Sequence, residues 1–249
     1  GYEDVGDAAI IVITAGANQK PNETRLDLVQ KNAKIMADVV TQIKEQEYKG
    51  ILLIVSNPVD IMTQVAMEVS GFPEHRVFGS GTVLDSARLR YHLGQHLGVD
   101  SRSVHAFVIG EHGDSEIAAW SSANVSGVPL NSFCEMRGHY NHEGNTESIE
   151  EQVKNSAYEI IAKKDATYYG IAMVVKRICQ AIVRDEKSIF PISLRMHGEY
   201  ALEDVVLSMP AIVGARGIET TIPISLDEKE VSRLHESAEM LRETRKEIR

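Results

Sequence analysis

The chain has 249 residues, enough for one large domain or two modest ones with a sizeable core. A formal net charge of −10 argues against a partner recognised through its phosphate backbone, so no nucleic acid is expected. The longest apolar runs, such as Ala8 to Ile13 and Ile51 to Val55, are far too short to cross a bilayer, so no membrane is expected either. Cys134 and Cys179 stand 45 positions apart without metal-ligand spacing, a usage that fits a reducing compartment and no metal site. With no basic and apolar leader at the start, these readings predict an acidic, globular, cytoplasmic protein.

Along the chain, short β-branched runs alternate with amphipathic stretches. Asp7 to Thr14 reads as a buried strand, Arg25 to Glu47 as a helix with Leu28, Ile35, Val39 and Ile43 at helical spacing, and Gly50 to Ser56 as a second buried strand. Val59 to Ser70 is a helix and Arg76 to Gly79 a third strand. This alternation predicts α/β architecture with parallel strands. Thr82 to Leu97 reads as a helix, Val104 to Gly110 as one strand, and Trp120 to Leu130 as strand plus turn. Ile149 to Lys163 and Ala166 to Arg184 are helical, Ile189 to His197 and Val205 to Val213 paired strands. Asp227 onward is a charged surface helix with Val231, Leu234, Ala238, Leu241 and Ile248 on its buried stripe. A second, α+β part is expected from near Ser80.

Five local patterns could carry chemistry. Gly79-Ser-Gly81-Thr-Val-Leu84 approaches a dinucleotide fingerprint but ends in leucine, and a tight strand-to-helix turn explains it better. His112, between glycines at the end of an apolar strand, stands where α/β proteins bind ligands; a turn-capping histidine fits equally. Asp85 and Arg88 share a helix face at i, i+3, as a surface ion pair or as a carboxylate orienting an imidazole beside a cation for a substrate carboxylate. The polar loop from Ala17 to Arg25 lies where a mobile lid or an ordinary βα loop would lie. Asn57, at the end of the second strand, reads as a ligand-facing amide or as a helix cap.

Taken in order, TAGANQKPNETRLDLV, VSNPVD, GSGTVLDSARLR, VHAFVIGEHGDSE and KKDATYYGIA resemble the lactate/malate dehydrogenase family, on its bacterial L-lactate dehydrogenase side. The resemblance runs from Tyr2 to the C-terminus. It implies a partial Rossmann-type parallel sheet over residues 1–79, followed by an α+β substrate domain over 80–249, and NAD as cofactor. By match, His112 is the proton donor and acceptor, Asp85 its carboxylate partner, Arg88 the grip on the substrate carboxylate and Arg25 the loop arginine that polarises the carbonyl. Asn57, Val55 and Ser56 match the strand end beside nicotinamide and substrate; Gly16, Ala17 and Ser80 match further cofactor contacts, and Thr167 lines the substrate site.

Where malate enzymes of this family carry arginine, this chain has Gln19, which favours pyruvate over a substrate with a second carboxylate. A bulkier branched or malate-like 2-hydroxy acid is the alternative. Arg90 and His105 match the pair that binds fructose 1,6-bisphosphate in allosteric, homotetrameric members. Asp165 stands where relatives often have glycine. The fingerprint turn and the ribose-binding acid fall upstream of Gly1 in the family, so the chain is expected to be an N-terminally incomplete enzyme that binds NAD poorly, or an inactive fragment serving in assembly.

Overall fold

The computed structural model describes residues 1–17, 24–164 and 168–248, of which residues 25 and 157–164 by their backbone alone. Gln19, Thr167, Asp165 and the lid up to residue 23 therefore lie outside the described residues, as does the side chain of Arg25.

The opening segment forms strand β1 (Ile10–Ile13), helix α1 (Arg25–Glu45), strand β2 (Ile51–Ile54), helix α2 (Val59–Ser70) and strand β3 (Val77–Gly79). Helix α1 starts at a capping box: Thr24 Oγ1 accepts from the Asp27 amide (3.1 Å), and the Asp27 carboxylate accepts from the Thr24 amide (3.0 Å). Its inner stripe of Val29, Ala33, Met36, Val40 and Ile43 is buried at helical spacing. All four residues of β2 are buried because the strand lies between β1 and β3, parallel to both. Each such aliphatic side chain contributes about 1.5–3 kcal/mol by leaving water.

Helix α3 (Val83–Leu97) follows. The stretch expected as one strand over Val104 to Gly110 is broken into β4 (Val104–His105) and β5 (Val108–Ile109), which join different sheets. The break has a visible cause: Thr82, the N-cap of α3, and Ser86 in its first turns capture the backbone of Val108, whose carbonyl accepts from Thr82 Oγ1 (2.5 Å) and whose amide donates to Ser86 Oγ (2.8 Å). Next come β6 (Ile117–Ala118), β7 (Asn124–Val125), β8 (Val128–Pro129) and helices α4 (Leu130–Met136), α5 (His142–Lys164) and α6 (Tyr169–Val183). Of these, β6 and α4 are too short to leave a period in the sequence. The chain closes with β9 (Ser188–His197), β10 (Glu203–Gly214), β11 (Gly217–Thr221) and α7 (Glu228–Lys246).

The second part does not keep its strands to itself. The main sheet runs β1-β2-β3-β9-β10-β11, parallel in its first three strands and antiparallel thereafter. The join is at Gly79 and Ser193, where a Cβ on residue 79 would lie 2.8 Å from the serine Cβ. Gly81, with φ +51°, lets the turn into α3 pass against Pro191 and Ser193: an added Cβ would sit 2.7 Å from the Pro191 carbonyl oxygen. The glycine pair is thus a close-packing device in a strand-to-helix turn. One apolar core spans this sheet with α1, α2, α6 and α7, and a second gathers Leu89, Leu93 and Leu97 of α3 with β4, β5, α4 and α5. No helix among the described residues is long and apolar enough to cross a membrane.

Candidate active site

Parallel strands end together, and the segments leaving β1 and β2 are pinned there by one buried side chain. Asn32 of α1 is 4% exposed; its Oδ1 accepts from the Ala17 amide (2.7 Å) and its Nδ2 donates to the Asn57 carbonyl (3.1 Å). Ser56 Oγ donates to the Ala15 carbonyl (2.6 Å). Gly16 and Asn57 are left exposed and Ala17 and Val55 half-buried on this rim, while Ser80 is buried beneath it with its amide on the Ile54 carbonyl (2.8 Å). Asn57 does not cap α2, whose N-cap is Pro58.

His112 lies on the loop between β5 and β6, and three successive backbone amides of that loop are held by three different elements. Gly110 donates to the Ser208 carbonyl on β10 (2.9 Å), Glu111 to Ser237 Oγ on α7 (2.9 Å), and His112 to Asp60 Oδ2 on α2 (2.7 Å). Gly110 has φ +84°, and a Cβ there would meet Ser237 Oγ at 3.0 Å, so glycine admits the helix.

This tethering aims the imidazole at α3. His112 Nδ1 lies 2.7 Å from Asp85 Oδ2, and Asp85 Oδ1 accepts from an Arg88 Nη1 at 3.0 Å. An ionised carboxylate only accepts, so Nδ1 carries the hydrogen and Nε2 is the nitrogen left for a ligand. Exposure falls inward along the triad of side chains, from 28% for His112 through 15% for Arg88 to 4% for Asp85. Arg90 turns away, as its spacing requires, and reaches the Ala106 carbonyl (3.4 Å) beside exposed His105.

The three ionisable groups Asp85, His112 and Glu116 shift one another strongly. Burial alone would depress the His112 pKa, but the Asp85 charge and hydrogen bond overcome it, with Asp60 and Glu116 adding to them, and raise it to about 9. Burial raises Asp85, yet His112 and Arg88 prevail and hold it below the ordinary carboxylate value. Glu116, 5% exposed, is pushed up to about 8 by burial and then by the Asp85 charge. Atoms of Asp85, His112 and Glu116 lie within 4.8 Å of one another.

A stability prediction follows from Glu116. A carboxyl whose folded pKa is raised favours the folded state below its unfolded value near 4.5 and loses that advantage as pH rises through about 8. Glu116→Gln is therefore expected to raise the thermal midpoint more at pH 8.5 than at pH 4.5. Melting curves at the two pH values check it; equal gains would mean that Glu116 ionises as readily folded as unfolded.

Sequence reasoning singled out His112, Asp85 and Arg88, which the structure brings together, and passed over Asn32, Asp60, Glu116, Ser193 and Ser237, which hold the same region. One missed residue had a faint signal: Ser193, with its neighbour Ser208, is a polar interruption of the apolar runs of β9 and β10.

Comparison with known proteins gives these residues a context. Residues 1–79 match the family model of the lactate/malate dehydrogenase NAD binding domain, and residues 82–249 that of the lactate/malate dehydrogenase alpha/beta C-terminal domain. The L-lactate dehydrogenase of Acetivibrio thermocellus is 48% identical over 242 residues, covering 97% of this chain and 76% of that protein. That of Streptococcus pneumoniae is 49% identical over 240 residues, 96% of this chain and 73% of its own. Among solved structures, the minor L-lactate dehydrogenase from Enterococcus mundtii in its ligands-bound form superposes with a TM-score of 0.96 at 42% identity, over 100% of this chain and 79% of that one. A lactate dehydrogenase from a Medee basin deep-sea metagenome library gives 0.96 at 45% identity, over 99% and 78%.

Proposed function

The chain belongs to the lactate/malate dehydrogenase family, and we propose that it is an NAD-dependent L-lactate dehydrogenase, interconverting pyruvate and L-lactate. The observation that carries the reading is the buried Asp85 carboxylate with His112 on one oxygen and Arg88 on the other. That arrangement supplies a proton carrier and a cation side by side, which reduction of a 2-oxo acid needs.

The rim formed by the ends of β1 and β2 suits the nicotinamide part of the cofactor: exposed Gly16 and Asn57, with half-buried Ala17 and Val55, stand at the carboxyl ends of parallel strands, where sheets of this kind bind their ligands. These residues, with Ser56 and Ser80 behind them, would hold it. When bound, NAD exchanges a hydride with the substrate carbon. The protein's part is the rest. Protonated His112 gives its Nε2 proton to the pyruvate carbonyl oxygen and takes it back in the reverse direction. Asp85 keeps the ring oriented and stabilises its charged form. Arg88 pairs with the substrate carboxylate through the guanidinium nitrogens that it does not spend on Asp85. We assign to Arg25 the stabilisation of the developing oxyanion, to Gln19 the choice of a methyl over a second carboxylate, to Thr167 the wall of the pocket, and to the lid before Arg25 the exclusion of water.

On the same reading, residues 1–79 serve the dinucleotide and 80–249 the substrate, and the enzyme is a cytoplasmic homotetramer of glycolysis. Arg90 and His105 form an effector site for fructose 1,6-bisphosphate; the reach of Arg90 to Ala106, next to His105, supports their proximity.

The test is NADH oxidation by the purified chain with pyruvate or oxaloacetate, with and without fructose 1,6-bisphosphate. Pyruvate-selective turnover is expected. Preference for oxaloacetate would overturn the Gln19 assignment, and a folded chain inactive with both would overturn the reaction.

A further inference from the structure

We infer that Asp60 is a positioning residue for His112: its carboxylate fixes the histidine's backbone amide, and its negative charge strengthens the hold of the imidazole on its proton. The inference rests on the proton-carrying role proposed for His112.

An aspartate in the first turn of a helix ordinarily accepts from amides of its own turn or faces water. Asp60 does neither. It is 2% exposed, and its oxygens are spent on distant parts of the chain: Oδ2 accepts from the His112 amide (2.7 Å) and Oδ1 from Ser193 Oγ (2.6 Å). Ser193 and Ser208 are cross-strand partners in the middle of the β9–β10 pair, both fully buried, and Ser208 exchanges two backbone hydrogen bonds with Gly110. Asp60 thereby closes a ring of contacts running from α2 through the His112 loop to β10 and β9. Burying a carboxylate this deeply is costly unless donors meet it, and here they do.

A tether alone would need only an acceptor, which asparagine or serine provides. The charge is what distinguishes Asp60. Burial pushes its pKa up to about 6, below neutrality, and its anion acts on His112 in the same direction as that of Asp85. The other titratable groups that act on this pair are Asp85 from α3 and Glu116, just before β6, on His112, and Glu111 in the loop itself on Asp60; Arg88 acts on Asp85 and Glu116. Among them only Asp60 holds the His112 backbone while charging its surroundings.

Asp60→Asn separates the two roles. The amide oxygen still accepts from the His112 N–H, while the NH2 group donates to Ser193, whose hydroxyl changes from donor to acceptor. The tether survives and the charge goes. The expected result is a downward displacement of the His112 titration, followed by ¹⁵N–¹H NMR, of roughly one pH unit. The alkaline limb of kcat/KM for pyruvate moves with it, and KM near pH 6 stays unchanged. An unmoved titration in a folded variant overturns the inference. Ser193→Ala keeps the charge and the His112 contact, so its titration should match the wild type; displacement as large as that of Asp60→Asn would assign the effect to packing and overturn the inference as well. Should Asp60→Asn not fold, the wild-type His112 amide resonance provides the reading. It should show an inflection near 6 from the Asp60 carboxyl across the hydrogen bond, and its absence refutes the proposal. None of these spectra needs turnover, so a wild-type chain inactive with pyruvate would fail the proposed reaction and leave this test intact.

Discussion

Replacing His112 with asparagine is expected to lower kcat for pyruvate reduction by about 10²- to 10⁴-fold, the range in which a positioned general acid acts. Asparagine is polar and small enough to remain beside Asp85 but has no proton to give at neutral pH. Asp85 keeps its contact with Arg88, so a folded protein with a thermal midpoint near that of the wild type is expected and the loss falls on the chemical step. Steady-state NADH oxidation measures it; a fall below tenfold would place the proton donor elsewhere. The pH dependence has a definite sign. Pyruvate reduction needs the imidazolium, so its kcat/KM should hold through neutrality and fall only as pH approaches the raised value near 9. Lactate oxidation needs the neutral ring and should climb over the same interval. A His112 limb at 6.5 in both directions would show that Asp85 does not raise the ring as the geometry requires.

The second large effect is expected for Arg88→Lys. Lysine can replace the ion pair to Asp85, because a point charge satisfies a single contact. It cannot replace a planar fork that spends one nitrogen on Asp85 while others meet a substrate carboxylate. Losing a charged hydrogen bond at about 2–3 kcal/mol converts to a rise in KM for pyruvate on the order of 30- to 150-fold, with kcat less affected. Initial-rate kinetics over a pyruvate series distinguishes the outcomes, and an unchanged KM would remove Arg88 from the substrate site. The neighbouring Arg90 is the natural control when no fructose 1,6-bisphosphate is present, since its guanidinium is turned to the Ala106 carbonyl.

What the sequence made legible was periodic or carried by long motifs. The three parallel strands, helices α1 to α3 and the β9–β10 pair announced themselves through runs of Ile, Val and Leu and through helical spacing, and the extents seen agree to within a few residues. Of the site, Asp85, Arg88 and His112 were legible because they sit in segments long enough to be distinctive. The rest was hidden for physical reasons. A strand of two residues such as β6 has no period, and the apolar run from Val104 to Gly110 gives no hint that Thr82 and Ser86, some twenty residues earlier, divide it by seizing Val108. Asp60 looks like any acid near a helix start until the fold brings Ser193 and the His112 amide to it across 133 and 52 residues. Ser237 is likewise indistinguishable from the other polar residues of the charged final helix, although it is fully buried against the loop that carries His112.

The shared sheet bears on how such a chain could be recombined. The two family models divide between residues 79 and 82, which invites cutting there to graft one partner's nucleotide half onto another's substrate half. Physically that position is no seam. Gly79 and Ser193 are paired neighbours, Gly81 lies against the backbone from Pro191 to Ser193, and the core beneath runs unbroken from Leu53 to Ile192 and Leu207. A hybrid joined at this point would inherit two surfaces shaped separately, and a methyl group at position 79 of the parent that supplies the first half would have to displace Ser193 of the other. Exchange between relatives is therefore constrained less by the linking peptide than by a match of small residues more than a hundred positions apart.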